Sequence, residues 1–261
     1  MREDKLAKVL KWGATPAILI ISFVAWELGV KLFHVNELIL PAPTQIFAKL
    51  FTMLGTGSIW LDAQTTTIEA VVGFLIGLVA GVITGVVLGK SPLLELSMRP
   101  LIVASQVVPK VALIPLFVIW FGFGISSKII IAALMAFFPI MLNVLLGVRS
   151  VDPGHRDVMR SLNATRWQTF RHLELKSILP YVFAGMEVGI VFSVIGAIVG
   201  EYLGGSSGLG FQLVNTLNQL DAPGLFAVIL LLAALGLILY SLVTSAKKIS
   251  IPWHESTNMT K

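Results

Sequence analysis

The sequence predicts an all-α integral membrane protein of about six transmembrane helices, and three observations carry the prediction. Of 261 residues, 56% are hydrophobic and 13% charged, with a mean hydropathy of +0.89. A soluble globular chain carries about 25% charged residues, and its surface needs polar cover. The apolar residues fall into six runs of roughly 20, the length that crosses a bilayer core as a helix. The Lys and Arg residues gather in alternate connecting segments, as the positive-inside bias requires.

The runs extend over 13–33, 67–89, 101–121, 128–148, 181–203 and 224–245. With the N-terminus inside, 15 of the 19 Lys and Arg fall on the cytoplasmic side: Arg2, Lys5, Lys8, Lys11, Lys90, Arg99, Arg149, Arg156, Arg160, Arg166, Arg171, Lys176, Lys247, Lys248 and Lys261. Lys31, Lys49 and Lys128 fall outside, and Lys110 lies within the third run. Both termini are therefore expected in the cytoplasm, which an even number of spans also requires. Trp12 and Trp253 fall near the inner interface and Trp60 and Trp120 near the outer one, as in an aromatic belt. The first run follows a charged N-terminus and lacks a small-residue cleavage site, so it reads as an uncleaved span.

The absence of cysteine excludes disulfides, thiolate chemistry and Cys-based zinc sites. His34, His155, His172 and His254 lack metal-ligand spacing, so no metal site is expected. The net charge of +5 flanks apolar runs, which points to orientation in the bilayer rather than to nucleic acid.

Within the second run Gly73, Gly77, Gly81, Gly85 and Gly89 recur every four residues. Such a strip lets helix backbones approach closely in lipid. It serves packing inside the subunit or, alternatively, contact across a dimer interface. The segment from Gly85 to Ser91 resembles a phosphate-binding loop, but that motif needs four residues between its glycines and here there are three. No ATP binding or enzymatic chemistry is expected in this chain.

Polar residues inside the runs are candidates for a pathway, because charge in a bilayer normally faces a partner or water. Lys110 lies roughly 15 Å deep and Glu187 roughly 9 Å deep, at 1.5 Å per helical residue. Gln106, Lys110, Asn143 and Glu187 are expected to face one translocation pathway. The alternative is a Lys110–Glu187 pair that only holds helices together. Glu201 lies near the outer end of the fifth run, before a Gly204–Gly210 segment expected to be a flexible outer loop.

Two connections are long. In the outer one (34–66), Leu40-Pro41-Ala42-Pro43-Thr44 can open a short amphipathic helix. The inner one (149–180) is the largest polar stretch and holds six basic residues. Asp152-Pro153 reads as an N-cap with proline at the first helical position. Asn163 suits the left-handed residue that ends a helix. A second helix is expected over 164–175, with Pro180 opening the next span. The inner loop is thus a helix-turn-helix, able on these grounds alone to lie on anionic lipid. The acceptor patterns Asn163-Ala164-Thr165 and Asn258-Met259-Thr260 fall on the inner face and are discounted as glycosylation sites.

Asp157-Val158-Met159, Asn163 after three residues, and Leu179-Pro180 resemble the EAA loop of ABC importer permeases. That loop reads Glu-Ala-Ala, then glycine after three residues, then a hydrophobic residue and Leu-Pro. Here Asp157 stands for Glu, Val158 and Met159 for the alanines, Asn163 for Gly, and Lys176 for the usual proline. The resemblance extends through Leu40–Thr44, Pro109–Leu116 with Trp120-Phe121-Gly122, Phe137–Ile140 with Asn143, and Gly200-Glu201 with Gly208–Gly210. It is shared with permeases for sulfonates, taurine, nitrate, thiamine precursors and riboflavin. Pro109-Lys110 and the Pro180–Gly185 stretch look most like the thiamine-precursor and riboflavin group.

The resemblance implies a MetI-like permease fold over 1–261, with a core at 66–246 and a coupling loop at 149–180. It implies an inner-membrane subunit that moves a small organic solute by alternating access. ATP and Mg would be held by a separate ATP-binding cassette ATPase. Asp157, Val158, Met159, Ser161, Leu162, Asn163, Ala164, Thr165, Arg166 and Trp167 would dock on that ATPase. A second permease copy and an extracytoplasmic substrate-binding protein are further implied partners, the latter facing the outer gate near Glu201. The rival reading is a secondary carrier or channel acting alone, with Lys110, Glu187 and Glu201 in ion coupling.

Overall fold

The computed structural model describes residues 2–253, with side chains described at residue 14 and from residue 16 on. The N-terminal cations, Trp12, His254, the 258–260 pattern and Lys261 therefore lie outside the described residues or side chains. The described chain is helical, with no strand among the described residues. Its helices are α1 (Arg2–Leu32), α2 (Pro43–Leu54), α3 (Gly57–Lys90), α4 (Pro92–Val107), α5 (Ile114–Phe121), α6 (Ile125–Arg149), α7 (Pro153–Ser161), α8 (Arg166–Thr169), α9 (Leu175–Gly204), α10 (Leu209–Asn218) and α11 (Ala222–Ser250). A short 3₁₀ turn, Lys110–Leu113, precedes α5, and a π-helical segment, Phe170–Glu174, joins α8 to α9.

Among the described residues, four helices are long and apolar enough to cross a membrane: 57–90, 125–149, 166–204 and 222–250. The expected third span is not one straight helix. α4 and the 3₁₀–α5 segment meet at an 85° bend, and count as a further crossing only if taken together. Proline explains the break. Pro109 has no N–H to give and biases Val108 to extended backbone, observed at φ −65°, ψ 122°. α1 covers the expected first span.

The chain divides into two compact units, residues 1–60 with 212–231 and residues 61–211 with 232–261. In the first, Pro41 and Ala42 are buried and Pro43 opens α2. Gln45 Oε1 accepts from the Ala42 N–H at 2.8 Å, which closes the start of that helix. Glu27 of α1 accepts from the Thr44 N–H and hydroxyl at 3.1 and 2.9 Å. Lys49 pairs with Asp221 at 2.7 Å, and Asp221 also accepts from the Gly224 N–H at the start of α11.

In the second unit α6 is the central helix. Each of the five α3 glycines faces it: a Cβ at Gly73 would lie 2.5 Å from Ala132, at Gly77 2.9 Å from Ala136, at Gly81 3.0 Å from Ile140, at Gly85 2.8 Å from Val144 and at Gly89 2.6 Å from Val148. The partners are themselves every fourth residue and ascend in the same order, so α3 and α6 run parallel with two small-residue ridges in register. The strip thus packs within this chain. α9 covers α6 in the antiparallel sense, with Gly185 and Gly189 against Ile140 and Gly196 against Ala132. Ala132, Ala136, Ile140 and Val144 are fully buried in the resulting core, which Leu239 and Val243 of α11 complete.

Candidate functional site

The inner loop is built by its caps. Asp152 Oδ1 accepts from the Gly154 N–H at 2.6 Å, and Pro153 occupies the first position of α7. Asn163 ends the helix in the left-handed region at φ 52°, with the Ala164 N–H returned to Met159 O at 3.0 Å. Thr165 and Gln168 then cap α8 reciprocally, with bonds of 2.8 and 3.3 Å. The second inner helix does not end before the next span. A continuous helical run extends from Arg166 to Gly204, passing through the π segment and enclosing Pro180. A helix tolerates one missing N–H there, because neighbouring packing re-satisfies the freed carbonyl.

The turn projects apolar side chains. Val158 is 55% exposed, Leu162 70% and Trp167 65%. Met159 and Ala164 are partly covered, while Asp157, Ser161, Asn163, Thr165 and Arg166 are exposed. Behind this surface Val151 and Ile178 are buried in the core cluster, with Leu173 packed against it. Glu174 pairs with Lys90, the last residue of α3, at 3.3 Å and lies 3.9 Å from Arg156. The loop is thereby joined to the ends of two long helices.

The expected pathway residues are not brought together as one group. Lys110 sits 4.9 Å above the Phe138 ring, a cation–π contact. Phe138 in turn meets Phe137 edge-on at 4.9 Å. These rings border a cavity of about 310 Å³ between α4 and α6 that Thr84, Ser105 and Met141 also line. Gln106 is exposed near the end of α4. Asn143 returns its amide to Pro139 O at 2.8 Å. Glu187 is not paired with Lys110. Its carboxylate takes Lys247 of α11 at 3.1 and 3.3 Å and Thr244 at 3.3 Å. Lys247 escaped the sequence reading because it belongs to the cationic tail of the last span, where a lysine normally reaches for headgroups.

Glu201 is 0% exposed and faces no open path in this conformation. Its Oε1 accepts from the Thr66 hydroxyl at 2.7 Å and its Oε2 from the Gly210 N–H at 2.6 Å. Thr66 Oγ1 also accepts from the Leu209 N–H at 2.8 Å, and Asp62 Oδ1 from the Gly208 N–H at 2.8 Å. Three successive backbone donors are thus fastened to α3 and α9. The expected flexible loop is instead a clasp, and it leads into α10, a helix the sequence reading passed over. Gly208 adopts φ 101°, a conformation that favours glycine, where a side chain would also strike Glu201. Glu69, 1% exposed, adjoins the Glu201 carboxyl. Lys128, counted outside by the charge pattern, is 2% exposed and gives its ammonium to Phe123 O at 2.8 Å. Glu69 was available as a signal, being a carboxylate within an apolar run.

Long apolar helices around a glycine-packed core, with a capped helical turn that exposes apolar side chains at their basic ends, define a multi-pass membrane protein. Residues 73–248 match the binding-protein-dependent transport system inner membrane component family, and the chain belongs to it. It is 36% identical to the riboflavin transport system permease protein RibX of Chloroflexus aurantiacus, over 94% of this chain and 92% of that one. It is 31% identical to the formylaminopyrimidine transport permease protein ThiX of Halalkalibacterium halodurans, over 89% and 92%. A solved amino acid ABC transporter, crystallised with histidines, shares the fold with a TM-score of 0.57 at 17% identity, over 78% of this chain and 97% of that one. The protein is an ABC importer permease for small solutes, and these relatives are transport permeases rather than enzymes.

Proposed function

We propose that this chain forms the pathway of an importer for a planar nitrogen heterocycle of the riboflavin or thiamine-precursor type. Sulfonate, taurine and nitrate are the other solutes within the same resemblance. The observation that favours a planar solute is the aromatic corner between α4 and α6, where Phe137 and Phe138 meet edge-on and Lys110 covers one ring. Aromatic faces stack on flat ligands and cations hold their anionic edges. The named relatives RibX and ThiX support the same class. Gln106, Asn143 and Glu187 remain candidates to line the path in a conformation that opens beside this corner. Glu201 would act at the outer gate by releasing the clasp.

Energy comes from outside the chain in this reading. An ATPase holding ATP and Mg grips Val158, Leu162 and Trp167, and its closure is passed along α9 and α3 through Glu174 and Lys90. Two permease copies enclose the pathway by alternating access in the bacterial inner membrane, with both termini cytoplasmic. A binding protein delivers the solute. The anchored, apolar surface of α7 and α8 favours this over a carrier acting alone, which would have no use for it.

Three experiments test the reading. Val158→Asp should abolish co-purification of the ATPase while the permease still inserts; undiminished association would refute the coupling role. Lys110→Met should cut uptake at least tenfold with assembly intact. Thermal-shift screening of the cognate binding protein against riboflavin, pyrimidines, sulfonates and taurine identifies the solute, and stabilisation by a sulfonate alone would refute the planar class.

A further inference from the structure

A second cavity, of about 340 Å³, lies against the α7–α8 turn and the end of α3. Lys90, Arg156, Arg160, Arg166, Thr169 and Glu174 line it. Four cations therefore face one carboxylate. Glu174 is already engaged by Lys90 and Arg156, and Asp157 reaches Arg160 from the exposed side at 3.2 Å. Among the described residues the positive charge in the cavity is not balanced.

We infer that this cavity binds the phosphate of an anionic phospholipid headgroup. Its place in the fold favours lipid. One wall is the last residue of α3, where that helix leaves the apolar zone, and another is the segment from which α9 enters it. Basic pockets between transmembrane helices on the cytoplasmic side bind anionic lipid headgroups. On α7 the helix wheel turns the cavity away from Val158, although Ala164 and Arg166 line the cavity and also belong to the expected ATPase surface. Arg156 and Arg160 are one turn apart on α7, and Val158, two positions on from Arg156, lies about 200° round the helix. The exposed apolar face and the basic face of α7 therefore point in opposite directions, so one helix can hold a protein partner on one side and a lipid on the other. Phe170, with Lys90 5.5 Å above its ring, gives the cavity an apolar wall. The bound headgroup would join α3, α7 and α8 and stiffen the loop against the long helices. This goes beyond the transport reading and does not depend on the solute.

The test uses the full-length permease in nanodiscs of phosphatidylcholine doped with phosphatidylglycerol. After extraction, native mass spectrometry reads the lipids retained. The wild type should keep phosphatidylglycerol over phosphatidylcholine, and Arg156→Gln with Arg160→Gln should lose that preference by about fivefold per cation removed. Arg156→Lys with Arg160→Lys should keep most of it, which separates lost charge from lost folding. Equal retention of the two lipids by the wild type would overturn the inference. So would unchanged preference in the glutamine variant, or retention that millimolar inorganic phosphate abolishes, which would mark a free-anion site. Loss of ATPase co-purification in the glutamine variant with its lipid preference intact would assign the cavity to an acidic side chain of the ATPase and equally overturn it. Val158→Asp should leave lipid retention unchanged, so this inference and the coupling reading can fail separately.

Discussion

Glu187 and Lys247 are each less than one-fifth exposed, and their ion pair ties α9 to α11. Removing one partner of such a pair strands the other, at about 3–5 kcal/mol, whereas replacing both by apolar residues is close to neutral. Lys247→Met should therefore destabilise the detergent-solubilised protein by that amount, and adding Glu187→Leu should restore most of it. Chemical denaturation reads both, and a double variant as unstable as the single would show that the pair carries no such role. Thr66 has a comparable position, since its hydroxyl serves Glu201, Leu209 and the Asp62 carbonyl together. Thr66→Val should cost about 1–3 kcal/mol through the groups left unpaired, and hydrogen exchange should accelerate at Leu209 and Gly210 first. The charged residues were legible one at a time as polar residues inside apolar runs. Their partners were not, because Glu187 and Lys247 lie 60 positions apart along the chain.

Glycines that look alike in the sequence differ at the scale of helices. Gly81 and Gly85 of α3 approach α6 so closely that a Cβ would meet Phe137 O at 3.0 Å and Met141 O at 2.7 Å. Gly236 of α11 has nothing within 4 Å. Gly85→Val should force the two helices apart and cost about 1–3 kcal/mol. Gly236→Ala should be neutral or stabilise by about 0.5–1 kcal/mol, because alanine restricts the unfolded chain more. Thermal unfolding in detergent separates the two, and equal effects would refute the close packing of α3 on α6. The four-residue repeat was visible in the sequence, but its choice of partner required the matching ridge on α6. The caps of α7 were legible because capping is local: Asp152, Pro153 and Asn163 act within one turn of themselves. The 85° bend at Pro109 was not, since proline inside an apolar run can equally kink, end or merely perturb a helix, and Pro180 and Pro139 stay within theirs.

For the whole molecule the sequence makes a topological prediction. The chain has no cysteine, so single cysteines report position cleanly. Ser206 and Ser161 are both exposed and lie in connections expected on opposite sides of the membrane. In intact cells an impermeant maleimide should label Ser206→Cys, and it should label Ser161→Cys only after permeabilisation. The reverse pattern would invert the orientation drawn from the charge count.

By itself the sequence determined that this protein lives in a bilayer, where its apolar runs lie, and that a capped, basic helix-turn-helix interrupts them. It also carried the permease resemblance, motif by motif. Each of these rests on composition or on interactions within a few residues, which a linear reading can see. Only the tertiary structure decided that α3 packs on α6, that Glu187 pairs with Lys247 rather than Lys110, and that Glu201 closes a clasp. Those outcomes depend on which helices become neighbours, and in a bilayer nearly every apolar face is an acceptable neighbour until small-residue ridges and buried polar groups select one.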